Sequence, residues 1–261
     1  MLKHATLVAV LAHLGRKEKP FFVLDTHAGI GGYDLRSEEA GKTGEAEGGI
    51  LRVARADPPA ARDYLALVRG FDPGGALRFY PGSPEIVRRT MRPQDRLVAC
   101  ELHPADVEIL RAALRDDPRV AVHHRDGYEA IGAFVPPPER RGLVFVDPPF
   151  EKRDEADRLG RALAKAVRKW PTGTYIAWYP LKDPDVPARI AAPLAQTGVE
   201  TLRVELALRP LDGTLVGGGL AIVNPPYTLP DFLDALGPQL LDAFGARATG
   251  AFRRDWIVPP A

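Results

Sequence analysis

The run Gly142-Leu143-Val144-Phe145-Val146, followed at once by Asp147-Pro148-Pro149-Phe150, narrows the possible folds more than any other stretch of the chain. Apolar residues, mostly β-branched or aromatic, bounded by Gly and Pro, read as a buried strand. Two consecutive prolines give no N–H to a sheet ladder and fix φ, so the chain leaves the sheet stiff and extended. An acid is thereby held at a strand's carboxyl end, where open α/β sheets bind their ligands. Taken alone, the pattern is equally a strand terminator with a solvated acid.

The arrangement recurs. Phe21-Phe22-Val23-Leu24 ends in Asp25-Thr26-His27-Ala28-Gly29-Ile30-Gly31-Gly32. Strand, acid and glycine turn open a mononucleotide-binding half, since glycine allows a tight turn and close approach of a ligand. The spacing Asp-x-x-x-Gly-x-Gly is not the dinucleotide G-x-G-x-x-G and favours a nucleoside-type cofactor without a pyrophosphate. Leu97 to Cys100 ends in Glu101, and Val120 to His124 leads into Asp126-Gly127. Further apolar runs at 174–180, 202–208 and 219–223 bring the expected count to about seven strands. Helical patterns at 1–14, 83–91, 103–115 and 154–169 separate most of them. The expected fold is α/β, a mostly parallel sheet with helices on both faces.

One passage breaks the alternation. Residues 36–82 hold a polar, Gly-rich stretch (Ser37 to Gly49) and then a helix opened by Pro58-Pro59, carrying Tyr64, Leu65, Leu67 and Val68 and closed by Gly70 and Pro73. The expected division is a main domain at 1–35 and 83–261 with a small helical insertion at 36–82, a lid or substrate-binding subdomain. Ser83 suits the cap of the helix that follows. His4, taken alone, suits a surface position.

Four strands in succession end in Asp25, Glu101, Asp126 and Asp147, and in a parallel sheet those ends share one crevice. A carboxylate after the second strand suits two ribose hydroxyls, being acceptor-only. One after the third suits an adenine amino group, although Asp126-Gly127 is also a natural helix cap. Acids favour a cationic cofactor and repel phosphates. Net charge is only +1, so a nucleic-acid partner needs a local basic patch. The candidates are Arg88, Arg89, Arg92, Arg96, Arg140 and Arg141, with Lys152 and Arg153 preferred because they flank the Asp-Pro-Pro-Phe loop. Cys100 is the single cysteine, which excludes an internal disulfide and a cysteine-clustered zinc site and fits a reducing, cytoplasmic setting. The apolar run at 6–12 is too short for a membrane span and reads as a helix of the domain.

The order glycine turn, Glu, Asp-Gly, Asp-Pro-Pro-Phe resembles Rossmann-like class I methyltransferases that use S-adenosyl-L-methionine, specifically those that methylate an exocyclic base amine. More narrowly, Leu2-Lys3-His4, Leu24-Asp25-Thr26-His27-Ala28-Gly29, Tyr80-Pro81-Gly82-Ser83-Pro84, Glu101-Leu102-His103-Pro104, Val146-Asp147-Pro148-Pro149-Phe150-Glu151, Trp178-Tyr179-Pro180, Asn224-Pro225-Pro226 and Trp256-Ile257-Val258-Pro259 are similar to the RlmJ family, nearly end to end. That family is bacterial and methylates N6 of one adenine in large-subunit (23S) ribosomal RNA.

The resemblance implies that His4, His27, Ser83, Glu101, Asp126, Gly127 and Asp147 surround the cofactor. It thereby displaces the surface and cap readings of His4 and Ser83. The order of the strand-end acids makes Asp147 the expected catalytic residue, with Pro148, Phe150, Lys152 and Arg153 expected on the substrate and no metal. Phe150 would stack on a flipped or single-stranded adenine, or else pack against the strand end. Asn224 is read as a structural strand end. The family's pattern also carries an arm ahead of the Leu-Lys-His segment, which begins here at Leu2. The expected partner is ribosomal RNA, with no membrane and a monomeric protein. The competing readings are a DNA amine methyltransferase and a non-catalytic RNA-binding protein of the same fold.

Overall fold

Strand alternation sets the architecture. Successive strand residues face opposite sides of a sheet, and here both sides are apolar. Val23, Leu97, Ala99, Leu143 and Phe145 enter one core, whereas Leu24, Val98, Cys100, Val144 and Val146 enter the other. A sheet of that kind must be covered twice. The computed structural model describes residues 1–37, 48–72, 74–75 and 77–260.

The strands are β1 (Phe22–Asp25), β2 (Gly32–Asp34), β3 (Phe79–Pro81), β4 (Arg96–Glu101), β5 (Val120–His124), β6 (Gly142–Val146), β7 (Thr174–Leu181), β8 (Thr201–Ala207), β9 (Gly217–Val223) and β10 (Ala251–Val258). The helices of the described residues are α1 (Leu2–Gly15), α2 (Ile50–Ala56), α3 (Arg62–Phe71), α4 (Ser83–Thr90), α5 (Pro104–Leu114), α6 (Gly127–Phe134), α7 (Glu155–Lys169), α8 (Val186–Ala195) and α9 (Leu229–Ala243). Helices α1 to α5 and α9 contribute to the first core, and α6, α7 and α8 to the second.

The main sheet has eight strands in the order β10-β8-β9-β7-β6-β1-β4-β5. From β7 to β5 all pairings are parallel. Strands β9, β8 and β10 add antiparallel ladders at the other side. The chain moves from β1 outward to β4 and β5, then returns to β6 on the opposite side of β1. Strand order therefore reverses between β1 and β6, and the crevice of the fold opens there.

Seven strands were expected and the sheet has eight. The additional strand, β10, mixes Arg253, Arg254 and Asp255 with apolar residues and is only partly buried. An edge strand needs no continuous apolar run, so it gives a weak sequence signal. The two-stranded β2–β3 ribbon is also new, each strand being three residues long. Helix α1 is packed on nearly every side, burying Leu2, His4, Ala5, Thr6, Leu7, Val8, Val10, Leu11 and Leu14, so its apolar run belongs to the core. Among the described residues no helix is long and apolar enough to cross a membrane.

The segment between β2 and β3 leaves the sheet. Its described part holds α2, a 3-10 turn at Pro59–Ala61 and α3. The helix expected from Pro58-Pro59 thus starts after that turn. Ile50, Val53, Tyr64, Leu65 and Val68 join the first core, so the excursion leans on α1 and α9. Most of the expected polar stretch, 38–47, lies outside the described residues.

Candidate active site

The order β6-β1-β4-β5 sets Asp147, Asp25, Glu101 and Asp126 in a row along the carboxyl edge of the sheet. Their side chains are used in different ways. Glu101 Oε2 accepts from the Gly29 N–H at 2.8 Å, and Oε1 accepts from the N–H groups of Leu102 (2.7 Å) and His103 (2.8 Å). It fixes the glycine turn to β4. Asp126 caps α6, with Oδ1 accepting from the N–H groups of Tyr128 (2.9 Å) and Glu129 (3.2 Å), while Oδ2 pairs with Arg158 at 2.8 Å. Burial raises its pKa, but Arg158 and the two N–H donors outweigh that and hold the carboxyl below its ordinary range.

Asp25 is the opposite case. It is fully buried, and neither oxygen has a hydrogen-bond partner among the described residues. Burial pushes its pKa up to about 7, aided by the charges of Asp147 and Glu101 and opposed by the nearby Ser83 hydroxyl and the His27 backbone. Asp147 is held by a single cation. Lys3 Nζ, on the first turn of α1, pairs with its Oδ2 and also lies 4.9 Å from the centre of the Trp178 ring. Among the described residues nothing donates to Asp147 Oδ1 or to the Pro148 carbonyl. Phe150 adopts φ +54° and meets the Trp178 ring edge-on, centroids 6.0 Å apart.

Beside these groups lies a cavity of about 920 Å³ lined by Lys3, His4, His27, Tyr33, Tyr80, Ser83 and Asp147 together with Ala28, Ile30 and Ile50. That is ample for a nucleoside-bearing ligand. Gly29 sits at φ +61° directly under the Tyr33 hydroxyl, where a Cβ would collide. Gly127 is required for a similar reason: a Cβ there would run into the Thr26 carbonyl and the His27 ring, which sit against the start of α6. His27 donates to or accepts from Thr26 Oγ1 at 2.8 Å, and burial lowers its pKa. Asp147, Glu101, Asp126 and Glu155 all act to raise it, so the field at this point is negative. Two unit charges 4 Å apart interact by about 4 kcal/mol at an effective dielectric near 20. Such a field draws a cationic ligand and rejects a phosphate. The glycine cradle, the unpartnered Asp25 and this field together fit a cofactor built from a nucleoside and a cation.

The structure brings His4, His27, Ser83 and Asp147 to one cavity, and Gly127 and Asp126 to its border beyond His27. Ser83 is not the helix cap that it suits in sequence. It occupies the first turn of α4, Gly82 holds the cap position, and no side-chain cap bond forms. His4 is only 6% exposed, against the surface position expected of it alone. Arg88, Arg89, Arg92, Arg96, Arg140 and Arg141 are not at this edge. They gather at the amino ends of β1, β4 and β6, and all but Arg140 are engaged there with carboxylates or main-chain carbonyls. Lys152 and Arg153 lie exposed just past Phe150. Asn224, at φ +49°, donates its amide to the Pro171 and Gly173 carbonyls and closes a strand end. Sequence reasoning missed Lys3, Tyr33, Tyr80 and Trp178. Lys3, Tyr80 and Trp178 sit inside the family-like segments already quoted, which was the available signal.

The family model described as RsmJ, "Ribosomal RNA large subunit methyltransferase D, RlmJ", matches residues 18–258. "Ribosomal RNA large subunit methyltransferase J" of Haemophilus influenzae is 39% identical over 265 residues, covering 99% of this chain and 94% of that protein. The protein of the same name from Escherichia coli is 37% identical over 264 residues, with coverage of 99% and 94%. The crystal structure of protein LPL1258 from Legionella pneumophila matches with a TM-score of 0.91 at 34% identity, over 97% of this chain and 95% of that one.

Proposed function

The chain belongs to the RlmJ family of ribosomal RNA large subunit methyltransferases, and from that premise we propose that it transfers a methyl group from S-adenosyl-L-methionine to N6 of one adenine in 23S ribosomal RNA. The observation that carries this reading is Asp147-Pro148-Pro149-Phe150 at the β6 end, with Oδ1 and the Pro148 carbonyl unclaimed among the described residues, beside the cavity.

When bound, S-adenosyl-L-methionine supplies an electrophilic methyl group on a positively charged sulfur. His4, His27, Ser83, Glu101, Asp126, Gly127 and Asp147 would hold it, the acids answering its charge and Gly127 giving the space for close approach. The adenine amine is a poor nucleophile because its lone pair is delocalised into the ring. Asp147 Oδ1 and the Pro148 carbonyl accept its two N–H hydrogens, which lets the nitrogen pyramidalise and turns its lone pair toward the cavity. Catalysis then rests on positioning and charge placement. Lys3 keeps Oδ2 engaged and so directs Oδ1 at the amine. Phe150 stacks on the extruded base, its ring backed by Trp178, and Lys152 and Arg153 take the flanking phosphates. The excursion at 36–82 serves as the wall of the cofactor cavity, and the protein works as a cytoplasmic monomer.

Methyl transfer from labelled cofactor to deproteinised 23S RNA, compared with duplex DNA, tests this. Label is expected in N6-methyladenosine of the RNA only, and activity confined to DNA would defeat the reading.

A further inference from the structure

Three polar rings, two of them buried, run from the cofactor cavity into the excursion. Tyr64, on α3, places its hydroxyl 2.9 Å from that of Tyr80, the middle residue of β3. The Tyr80 hydroxyl lies 2.6 Å from Nδ1 of His4, and the two rings stack with centroids 5.8 Å apart. Tyr64 and His4 are buried and Tyr80 is half-buried. Among the described residues, neither hydroxyl has another hydrogen-bond partner, and His4 Nε2 has none.

Counting hydrogens settles the direction of this chain. Each hydroxyl has one hydrogen to give, and a buried hydrogen without an acceptor costs about 1–3 kcal/mol. If Tyr80 donated to Tyr64, the Tyr64 hydrogen would have nowhere to go. With Tyr64 donating to Tyr80, and Tyr80 donating to His4 Nδ1, both hydrogens are used. Nδ1 must then be the acceptor, so the hydrogen of the imidazole sits on Nε2, the nitrogen left for the cavity that His4 lines.

We infer that Tyr80, to which Tyr64 donates, locks His4 in the tautomer bearing hydrogen on Nε2, and so makes it a fixed donor toward the cofactor. Tyr80 is a positioning residue, acting through His4. Burial, reinforced by the neighbouring Lys3 charge, keeps the His4 pKa well below its ordinary 6.5, so the ring stays neutral and the tautomer matters. A donor here suits the strongest acceptor that S-adenosyl-L-methionine carries, its amino-acid carboxylate. The excursion thereby acts through His4 as well as lining the cavity: Tyr80 donates to Nδ1, and Tyr64 of α3 donates to Tyr80. This rests on the cofactor reading above only for the identity of the acceptor.

The test has two arms. Nitrogen-15 spectra of the ligand-free protein, with His4 assigned through His4→Gln, read the tautomer directly. A protonated Nε2 with a bare Nδ1 is expected, and a protonated Nδ1 would overturn the inference. Calorimetry with S-adenosyl-L-methionine then compares wild type with Tyr80→Phe and Tyr64→Phe, both of which keep the ring. One charge-assisted bond is worth roughly 1.5–3 kcal/mol, so His4→Leu, which removes it, is expected to raise Kd about tenfold or more. Tyr80→Phe, which only frees the tautomer, is expected to raise Kd severalfold and to mix the His4 tautomers. Tyr64→Phe leaves Tyr80 with His4 Nδ1 as its acceptor among the described residues, so it is expected to keep the tautomer and an affinity close to wild type. His4→Gln, whose amide also donates, should retain more affinity than His4→Leu. Wild-type affinity and an unmixed His4 signature in Tyr80→Phe would sink the lock. If the lock is seen but no cofactor binds, the cofactor reading fails and the lock stands.

Discussion

The two edges of the parallel sheet are both lined with ionised side chains, yet they are finished in opposite ways. At the amino edge Asp95, Asp117 and Glu139 each meet a guanidinium. Asp95 bridges the Phe21 and Arg92 N–H groups and the Arg92 side chain, and Arg92 spends its remaining hydrogens on the carbonyls of Gly15, Lys17 and Lys19. Arg96 makes a two-point pair with Glu139, and Arg119 pairs with Asp117 while bonding the Met91 carbonyl. At the carboxyl edge, among the described residues, no cation pairs with Asp25, which has just the Ser83 hydroxyl and the His27 backbone nearby, and Asp147 is paired with Lys3 alone. Closed pairing holds a fold together, whereas open acids around a cavity are arranged for something else to complete them.

The sharpest way to break this comparison is to remove one acid from each edge. Asp147→Ala is expected to slow methyl transfer by about 10²–10⁴-fold, the range typical of a positioned acceptor or base, and to leave Tm nearly unchanged. Asp95→Ala takes the carboxylate from the half-buried Arg92 and strands the buried Phe21 N–H. The cost is about 1–3 kcal/mol of stability for the orphaned donor, roughly 2–4 °C of Tm per kcal/mol at this size, with normal turnover in the protein that remains folded. Single-turnover transfer and thermal denaturation on both variants check it. A rate loss in Asp95→Ala without a Tm loss would erase the distinction between the edges.

A smaller effect sharpens it. Burial raises the Asp25 pKa from 3.8 to about 7, so between those values the folded state holds a proton that the unfolded state has lost. Stability from this group therefore falls as pH rises from about 4 to about 7 and is level above that. The upper bound is on the order of 4 kcal/mol at 1.36 kcal/mol per unit. Asp95, Asp117 and Glu139, whose arginine partners outweigh burial, slope the other way and lose their contribution in acid. Asp25→Asn should therefore gain Tm over wild type at pH 8 but not at pH 4.5. A gap that does not change with pH would mean that Asp25 does not titrate as its burial requires.

How much of this was legible in the sequence follows from what a linear pattern encodes. Buried strands ending in Asp25, Glu101 and Asp147 are local, and strand order needs only the alternation with helices, so the row of acids could be foreseen. The edge strand β10 could not, because half-buried strands with Arg253, Arg254 and Asp255 lack an apolar run. Nor could the relay through Tyr64, which depends on where a helix far along the chain comes to rest. The arginines misled for the same reason. Arg92 and Arg96 look like any basic cluster until the fold brings Asp95, Glu139 and three carbonyls around them. Lys3 was hidden by its ordinary surroundings at the start of α1, and only the return of β6 to the side of β1 gives it Asp147.

The smallest effect asks which cations face nucleic acid. Lys152 and Arg153 are exposed just past the Asp147-Pro148-Pro149-Phe150 loop, and among the described residues their side chains have no partner. Arg96, about two-fifths exposed, is tied to Glu139 at the far edge. Each phosphate neutralised contributes a slope of about 0.7–0.9 to the fall of log affinity with log salt. Lys152→Ala with Arg153→Ala should therefore weaken RNA binding several-fold near 0.1 M salt and flatten that slope by about 1.5. Turnover at saturating RNA should be unchanged, since neither residue reaches the amine. Arg96→Ala should leave the slope alone and cost about 1 kcal/mol of stability or less, as half-exposed pairs do. Filter binding of 23S RNA fragments across a salt series separates the two. A flattened slope in Arg96→Ala with none in the double variant would move the RNA to the amino edge, and the open acids would then need another explanation.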